Sequence, residues 1–422
     1  MDKKYDIVMW GATGFSGRPA ALHMYRTYAQ KGLIKMAIAG RNKAKLEKLV
    51  KEMGATDVDV IVCGGSDAKA AREVAANTRV VCSAVGPAAV HSTEMVDACI
   101  AEGIDYCDLS GEMHWLLKMF KTRTKKAEEN GSLILNVCGG DSVPSEYGVR
   151  KLQEAAHKQL GEYCTHITGA LSAGIIEVAG GSFMSGKGVM EAMLSDSELN
   201  DIIMNPYSLN PEGEVYGNPE CPDLNRVEYD RDFRQYMMPF PLGQINARIV
   251  RRAHALRGYP WGREFTYREN KLAGTSLVDK LKAKAETAMV NLFVSTDPNS
   301  ALGKMLCYFA PGEGDGPSDE SLDKNGPFAF AFLGTTESGK QIKGYSWSRL
   351  DPHRATGHIL ADIAYTIFAD REKLLQTSGF WTPDTAIGDI LLNRMEQNGT
   401  MEVGIGSFEK PGNFASTPIS AV

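Results

Sequence analysis

From Tyr5 to about residue 140, short apolar runs alternate with stretches whose apolar residues recur at helical spacing. The runs are Ile7–Trp10, Met36–Ala39, Val58–Val62, Val80–Val85, Tyr106–Leu109 and Leu133–Val137. Between them lie amphipathic stretches, notably Lys43–Met53, Ala68–Ala76, Ser92–Glu102 and His114–Asn130. Strands alternating with helices of this length build βαβ units and a parallel sheet wound on both faces. The texture changes past residue 145. His166–Ile176 reads as extended, Gly180 opens a helix to about Asp196, and a Pro-, Asn-, Asp- and Glu-rich loop runs from Asn205 to about Asp232. FPLGQINARIVRRAHAL begins as loop or strand and becomes a helix, FTYREN is strand-like, and FAFAFLGTT with GKQIKGYSWSRL predicts a hairpin. HRATGHILADIAYTIF and TPDTAIGDILLNRMEQNG each predict a helix.

One segment has two readings. Over Thr275–Ala310 the residues Leu277, Leu281, Ala285, Ala288 and Leu292 fall near one helical face, with Lys280, Lys282, Lys284 and Glu286 largely off it. The expectation is an amphipathic helix packed on its own core. The alternative is a lid over an apolar substrate or a surface that lies on lipid.

The first run, YDIVMW, leads straight into Gly11, Gly14 and Gly17, and the second ends in Gly40-Arg41-Asn42-Lys43. A glycine-rich turn between strand and helix lets backbone approach a pyrophosphate, and the helix amino end offers free N–H groups. A cation at the tip of the second strand suits a ribose 2′-phosphate, where an acid would suit a free hydroxyl. Strand, glycine turn, helix and second strand are all present, so the pattern predicts an NADP-binding Rossmann domain. Phe15 can cover one side of the cofactor, and Thr13 and Ser16 offer hydroxyls to phosphate. The fold expected is α/β: a doubly wound parallel sheet over 1–143, an α+β substrate or dimerisation domain over 144–350, and C-terminal helices over 351–422 returning to the first domain.

Composition narrows the function. The chain has 422 residues, 43% hydrophobic, enough for a large core in two domains. With 46 basic against 52 acidic residues and no long basic block, nucleic acid is not an expected partner. Eight cysteines (63, 82, 99, 107, 138, 164, 221 and 307) include no CxxC and no metal-like spacing, and read as thiols in a reducing compartment. His353 and His358 lack a third ligand, so no metal is expected. MDKKYDIV enters a strand at once, STPISAV matches no lipidation box, and no run reaches the length of a membrane span. A cytoplasmic, soluble protein is the expectation.

The motifs GATGFSGR, AGRN, VGPAA, DYCDLSGE and CGGDSVPSEYG follow in order. GGSFMS, PFPLGQINARIVRRAHAL, PGEGDGPS and FWTPDTAIGDILLNRM continue the series. In this arrangement the chain resembles the saccharopine dehydrogenase-like oxidoreductases, in the branch that includes the trans-acting enoyl reductases. The resemblance covers nearly the whole chain and implies NADP(H) as cofactor. It implies that Gly11, Thr13, Gly14, Phe15 and Ser16 wrap the pyrophosphate and that Arg41, Asn42 and Lys43 hold the 2′-phosphate. Val85, Gly86 and Pro87 then border a ribose or the nicotinamide, and Ser110 ends the fifth strand in the same crevice. Related sequences carry an aromatic where this chain has Gly140, and Asp-Leu-Gly-like residues at Glu146-Tyr147-Gly148. Their counterpart of Thr275–Ala310 is more apolar, and the charge here weakens a membrane claim while leaving peripheral lipid contact through this segment as an expectation.

Hydride delivery to an activated alkene needs a donor near the developing enolate oxygen and a proton source for the other carbon. Asp108, Glu112, Asp141, Ser142 and Tyr147 lie on or beside carboxyl-end loops. The catalytic candidates are Asp141, Glu112 and Tyr147. Asp141 leads, because it follows Leu133–Val137 in a glycine-rich turn facing the crevice, although it also suits the cap of the next helix. Tyr147 and Lys151 form a YxxxK pair, as do Tyr267 and Lys271. Arg248, Arg251 and Arg252 beside His254 read as a solvated or salt-bridged helix face, or as an anion clamp. The expected function is NADPH-dependent reduction of an enoyl or enone bond in a lipid, polyketide or isoprenoid-like substrate. The alternatives are an amino-acid C–N dehydrogenase, or a non-catalytic lipid-associated NADP-binding protein. A homodimer is a further expectation.

Overall fold

The computed structural model describes residues 3–211, 223–308, 310–312 and 315–406. Cys221, Glu313, Gly314 and the STPISAV terminus lie outside the described residues. Six strands open the chain: β1 (Tyr5–Trp10), β2 (Met36–Gly40), β3 (Asp59–Val62), β4 (Thr78–Ser83), β5 (Asp105–Asp108) and β6 (Leu133–Leu135). Four follow in the middle: β7 (Cys164–Ala173), β8 (Glu228–Asp230), β9 (Gln235–Met238) and β10 (Thr266–Gly274). The last are β11 (Phe328–Thr336), β12 (Gln341–Ser348), β13 (Gly379–Trp381) and β14 (Glu402–Ile405).

The first sheet is parallel throughout, in the order β3-β2-β1-β4-β5-β6-β13. Its central strands are apolar on both faces because helices cover both, and Ile7, Val8 and Met9 have no exposed surface. Burying each such side chain stabilises the fold by roughly 1.5–3 kcal/mol. Strand order reverses between β1 and β4, which opens a crevice at the carboxyl ends of these two strands.

The second sheet is mixed, in the order β14-β12-β11-β7-β10-β9-β8, with only β7 and β10 parallel. Helices Val143–Leu160 and Pro241–Leu256 pack on it. The second of these is helical from Pro241 onward, where loop or strand was expected, because proline suits the first helical turn. Gly148 permits the first helix to lie close: an added Cβ would sit 2.2 Å from the Phe332 ring.

Helix Pro352–Ala369 returns to the first domain and packs on helix Gly17–Thr27. Asp351 caps it, its carboxylate accepting from the amides of His353 (3.0 Å) and Arg354 (3.1 Å). The single helix expected over TPDTAIGDILLNRMEQNG is two, Pro383–Ile387 and Asp389–Asn398. The break falls at Gly388, whose φ of +66° a helix cannot continue through. The C-terminal segment also serves both sheets, since β13 extends the first and β14 the second. Among the described residues no helix is long and apolar enough to cross a membrane.

Candidate functional site

At the end of β1 the chain turns at Gly11, whose φ of +78° and 2.8 Å clearance from Val85 Cγ2 leave no room for a side chain. A Cβ on Gly17 would meet the Gly11 carbonyl oxygen at 2.0 Å, so helix Gly17–Thr27 starts directly against the strand. No side chain caps that helix and its first turn holds no acid. The amides around Phe15 and Ser16 are therefore available to an anion, and the helix dipole favours one. Thr13 faces the tip of β2: its Oγ1 lies 3.8 Å from where a Gly40 Cβ would stand. Arg41, Asn42 and Lys43 are exposed there, and Asn42 caps helix Lys43–Met53 by accepting from the Lys45 amide at 3.0 Å. Val85 and Gly86 are half-buried beside Gly11, and Pro87 is buried at the start of helix Ala88–His91. The glycine turn, the β2 tip and the β4 loop together form a cradle with anion-binding amides at one end and cations at the other. These residues fit NADP(H).

Phe15 does not stand alone over this cradle. Its ring meets His353 edge-on, with centroids 4.7 Å apart, and Gly316 leaves no space for a side chain against it. His353 Nε2 shares a hydrogen bond with the Glu177 carbonyl at 2.9 Å. Beside it, the Gly139-Gly140 turn is pinned to the same helix, the Gly140 amide donating to Thr356 Oγ1 at 3.0 Å. A side chain at Gly140 would meet that hydroxyl at 2.8 Å, so the turn lies against helix Pro352–Ala369 with no room for one. Val137, two residues before the turn, holds a φ of +58°. A β-branched residue in that conformation costs on the order of 1–3 kcal/mol, a strain the surrounding contacts hold in place beside the crevice.

Asp141 follows this turn and is half-buried. It does not cap helix Val143–Leu160, whose N-cap is Ser142, and no hydrogen bond to its carboxyl occurs among the described residues. Desolvation pushes its pKa up, and the nearby His353 pulls it partly back. Behind it lies Glu269, a buried carboxyl that accepts from Ser145 Oγ, Tyr267 Oη and Asn246 Nδ2. Burial pushes Glu269 up to about 7, its three donors oppose that, and the charge of Asp141 adds to it. Asp141 is thus coupled electrostatically to a histidine at the cofactor turn and to a carboxyl pushed up to about 7.

The other two catalytic candidates have different duties. Glu112 is buried and caps the β4 loop, accepting from the amides of Ala88 (2.6 Å) and Ala89 (3.1 Å) and from Ser185 Oγ (2.9 Å). With both oxygens engaged, it positions the cradle and anchors helix Gly180–Ser195. Tyr147 is a correction: it is fully buried and its hydroxyl donates to the Gly388 carbonyl at 2.9 Å, inside the core. Its YxxxK partner Lys151 pairs with Glu154 and Asp389, and Lys271 of the second such pair binds Glu286. Ser110 donates to Asp108 at 2.6 Å, and Asp108 also accepts from Asn136 and Tyr106, which fixes the β5 loop.

The arginine cluster is neither solvated nor an open clamp. Arg248, Arg251 and Arg252 are buried. Arg248 donates to the Ile203 carbonyl and Asp223, Arg251 to Pro206 and Tyr267, and Arg252 to Leu209 and Phe380. They tie loops together and offer no pair of guanidinium groups to a substrate carboxylate. His254 is stacked on Trp261 and bonds the Gly262 carbonyl at 2.8 Å, and burial lowers it to about 4. Among the described residues no group of three or more His, Cys, Asp or Glu could hold a metal ion.

Sequence reasoning passed over His353 as a satisfied polar residue and did not single out Glu269, Asn246 or Ser145. No spacing signal marks them, because they come together from four separate elements.

Residues 7–135 match the Saccharopine dehydrogenase NADP binding domain profile. The trans-acting enoyl reductase of Mycobacterium tuberculosis is 29% identical over 418 residues, spanning 95% of this chain and 97% of that protein. Its counterpart from Mycobacterium leprae is 29% identical over 414 residues, with 94% and 97% coverage. The apo saccharopine dehydrogenase (L-Glu forming) of Saccharomyces cerevisiae shares the fold, with a TM-score of 0.51 at 12% identity over 95% of this chain and 99% of that one. The glycine cradle and the cation-tipped second strand lie within the segment that matches the saccharopine dehydrogenase NADP-binding domain, and over nearly its whole length the chain is similar to trans-acting enoyl reductases.

Proposed function

We propose that the protein uses NADPH to reduce an activated carbon–carbon double bond in a lipid-like substrate. The observation that carries this reading is similarity running through both domains to proteins named trans-acting enoyl reductases. When bound, NADPH supplies a hydride from its nicotinamide ring. The chain's own residues do the rest. The Gly11–Ser16 turn binds the pyrophosphate, Arg41 selects the 2′-phosphate, and Glu112 holds the β4 loop against the nicotinamide end. Asp141, whose pKa desolvation pushes up, is the proton donor to the carbon or oxygen that gains charge, with Glu269, pushed up to about 7, as the neighbouring acid that resupplies it.

An amino-acid C–N dehydrogenase needs free arginines to clamp an α-carboxylate. Arg248, Arg251 and Arg252 spend their donors on backbone carbonyls and Asp223. That commitment favours the alkene reading. NADPH oxidation should proceed with a medium-chain enone or enoyl thioester and not with a saccharopine-type imine pair. Asp141→Asn should lower kcat by roughly 100-fold or more while leaving NADPH affinity unchanged. Turnover of the imine pair alone, or an Asp141→Asn enzyme of normal kcat, would sink the assignment.

A further inference from the structure

Helix Leu277–Ser295 is mounted the wrong way round for a core helix. At 3.6 residues per turn its apolar stripe runs through Leu277, Leu281, Ala285, Ala288 and Leu292. That stripe faces outward: Leu277 is 71% exposed, Leu281 66% and Met289 67%. The inward face, which packs on β9 and β10, is small and polar, with Ala283 and Thr287 its only buried residues. The expectation of an apolar face on the core is thereby overturned. After a short turn, helix Ala301–Tyr308 exposes Leu302 and Met305 as well. An apolar surface of this extent marks a binding face, since water contact over it is unfavourable.

The fringe of that stripe identifies what it meets. Lys282 borders one side and Lys284 the other; both are exposed and neither has a carboxylate within ion-pair distance among the described residues. The nearby acids are already engaged: Glu286 pairs with Lys271 at 2.7 Å, and Asp279 caps the helix through Ser276. Lys304 adds an exposed cation on the next helix. In a two-fold contact with a second copy, either orientation of the helices would set lysine against lysine. A planar anionic surface accepts both the apolar stripe and its cationic borders.

We propose that Leu277–Tyr308 is a docking face for an anionic lipid bilayer, lying on the surface and not crossing it. The face connects physically to the crevice. Phe293 on its inner side packs against Phe183 at 5.4 Å, and the helix bearing Phe183 also carries Ser185, which donates to Glu112. The inference stands on surface geometry and extends the lipid-substrate reading, without needing it for its test.

The test is sedimentation of the full-length protein with phosphatidylcholine vesicles, with and without phosphatidylserine. Binding should require phosphatidylserine and weaken with added salt. Lys282→Glu combined with Lys284→Glu should reduce the partition coefficient roughly thirtyfold or more. Leu281→Glu combined with Met289→Glu should abolish binding at an unchanged melting temperature, because both side chains point to solvent. Equal binding of wild type and both variants overturns the proposal, as does no binding to either vesicle. So does a wild-type dimer that the leucine–methionine variant converts to monomer. Vesicle binding by a protein inactive on enones would refute the reductase reading and leave the docking face standing.

Discussion

Arg41 is the residue on which cofactor choice turns. It stands exposed at the tip of β2, next to the Asn42 that caps the following helix. A guanidinium there offers a charge-assisted contact to the 2′-phosphate that a carboxylate would repel. Arg41→Asp should weaken NADPH binding about 10- to 100-fold, in line with roughly 1.5–3 kcal/mol for a charged hydrogen bond, and should tolerate NADH. Equal NADPH affinity in a fluorescence titration would refute the assignment. At this scale the sequence was most informative about the cofactor end, where glycines and a cation lie close together along the chain. It was least informative about proton transfer. Asp141 could be singled out from its glycine turn, but Glu269 and His353 meet it only through tertiary packing, and Tyr147 proved to be core.

Among elements, helix Val143–Leu160 joins the two domains, and its fit against β11 and β12 rests on Gly148. A Cβ there would lie 2.2 Å from Phe332 and 2.8 Å from Ser346 Oγ, in a region with no exposed surface to yield into. Gly148→Ala should cost about 1–3 kcal/mol by overpacking. Urea denaturation measures it, and an unchanged midpoint would show that the helix can move away freely. Most strands of the first sheet were legible, since parallel buried strands read as continuous apolar runs. β13 was not, because three residues late in the chain add to a sheet edge built long before. Helix Leu277–Ser295 was legible as a helix but not in its orientation, since periodicity gives a face and not its neighbour.

The whole molecule carries several buried carboxyls, and its stability follows their protonation. Glu269 titrates at about 7 in the folded protein against 4.5 ordinarily, so the folded state binds the proton more tightly. Its contribution is fully present below the ordinary value and is lost as pH rises through 7, on the order of 3 kcal/mol in all. Glu269→Gln removes that dependence. The melting temperature of the variant relative to wild type should therefore climb between about pH 5 and about pH 8. A flat difference would show that Glu269 is ionised throughout. The sequence by itself determined the first domain, its cofactor turn and the likeness to saccharopine dehydrogenase-like oxidoreductases, because strand periodicity, glycine turns and ordered motifs are local properties of the chain. Only the tertiary structure decided which carboxyl sits beside His353, which arginines are committed to backbone, and that an apolar helix face looks outward. Those outcomes depend on which distant segments meet, and burial, charge and exposure exist only once they do.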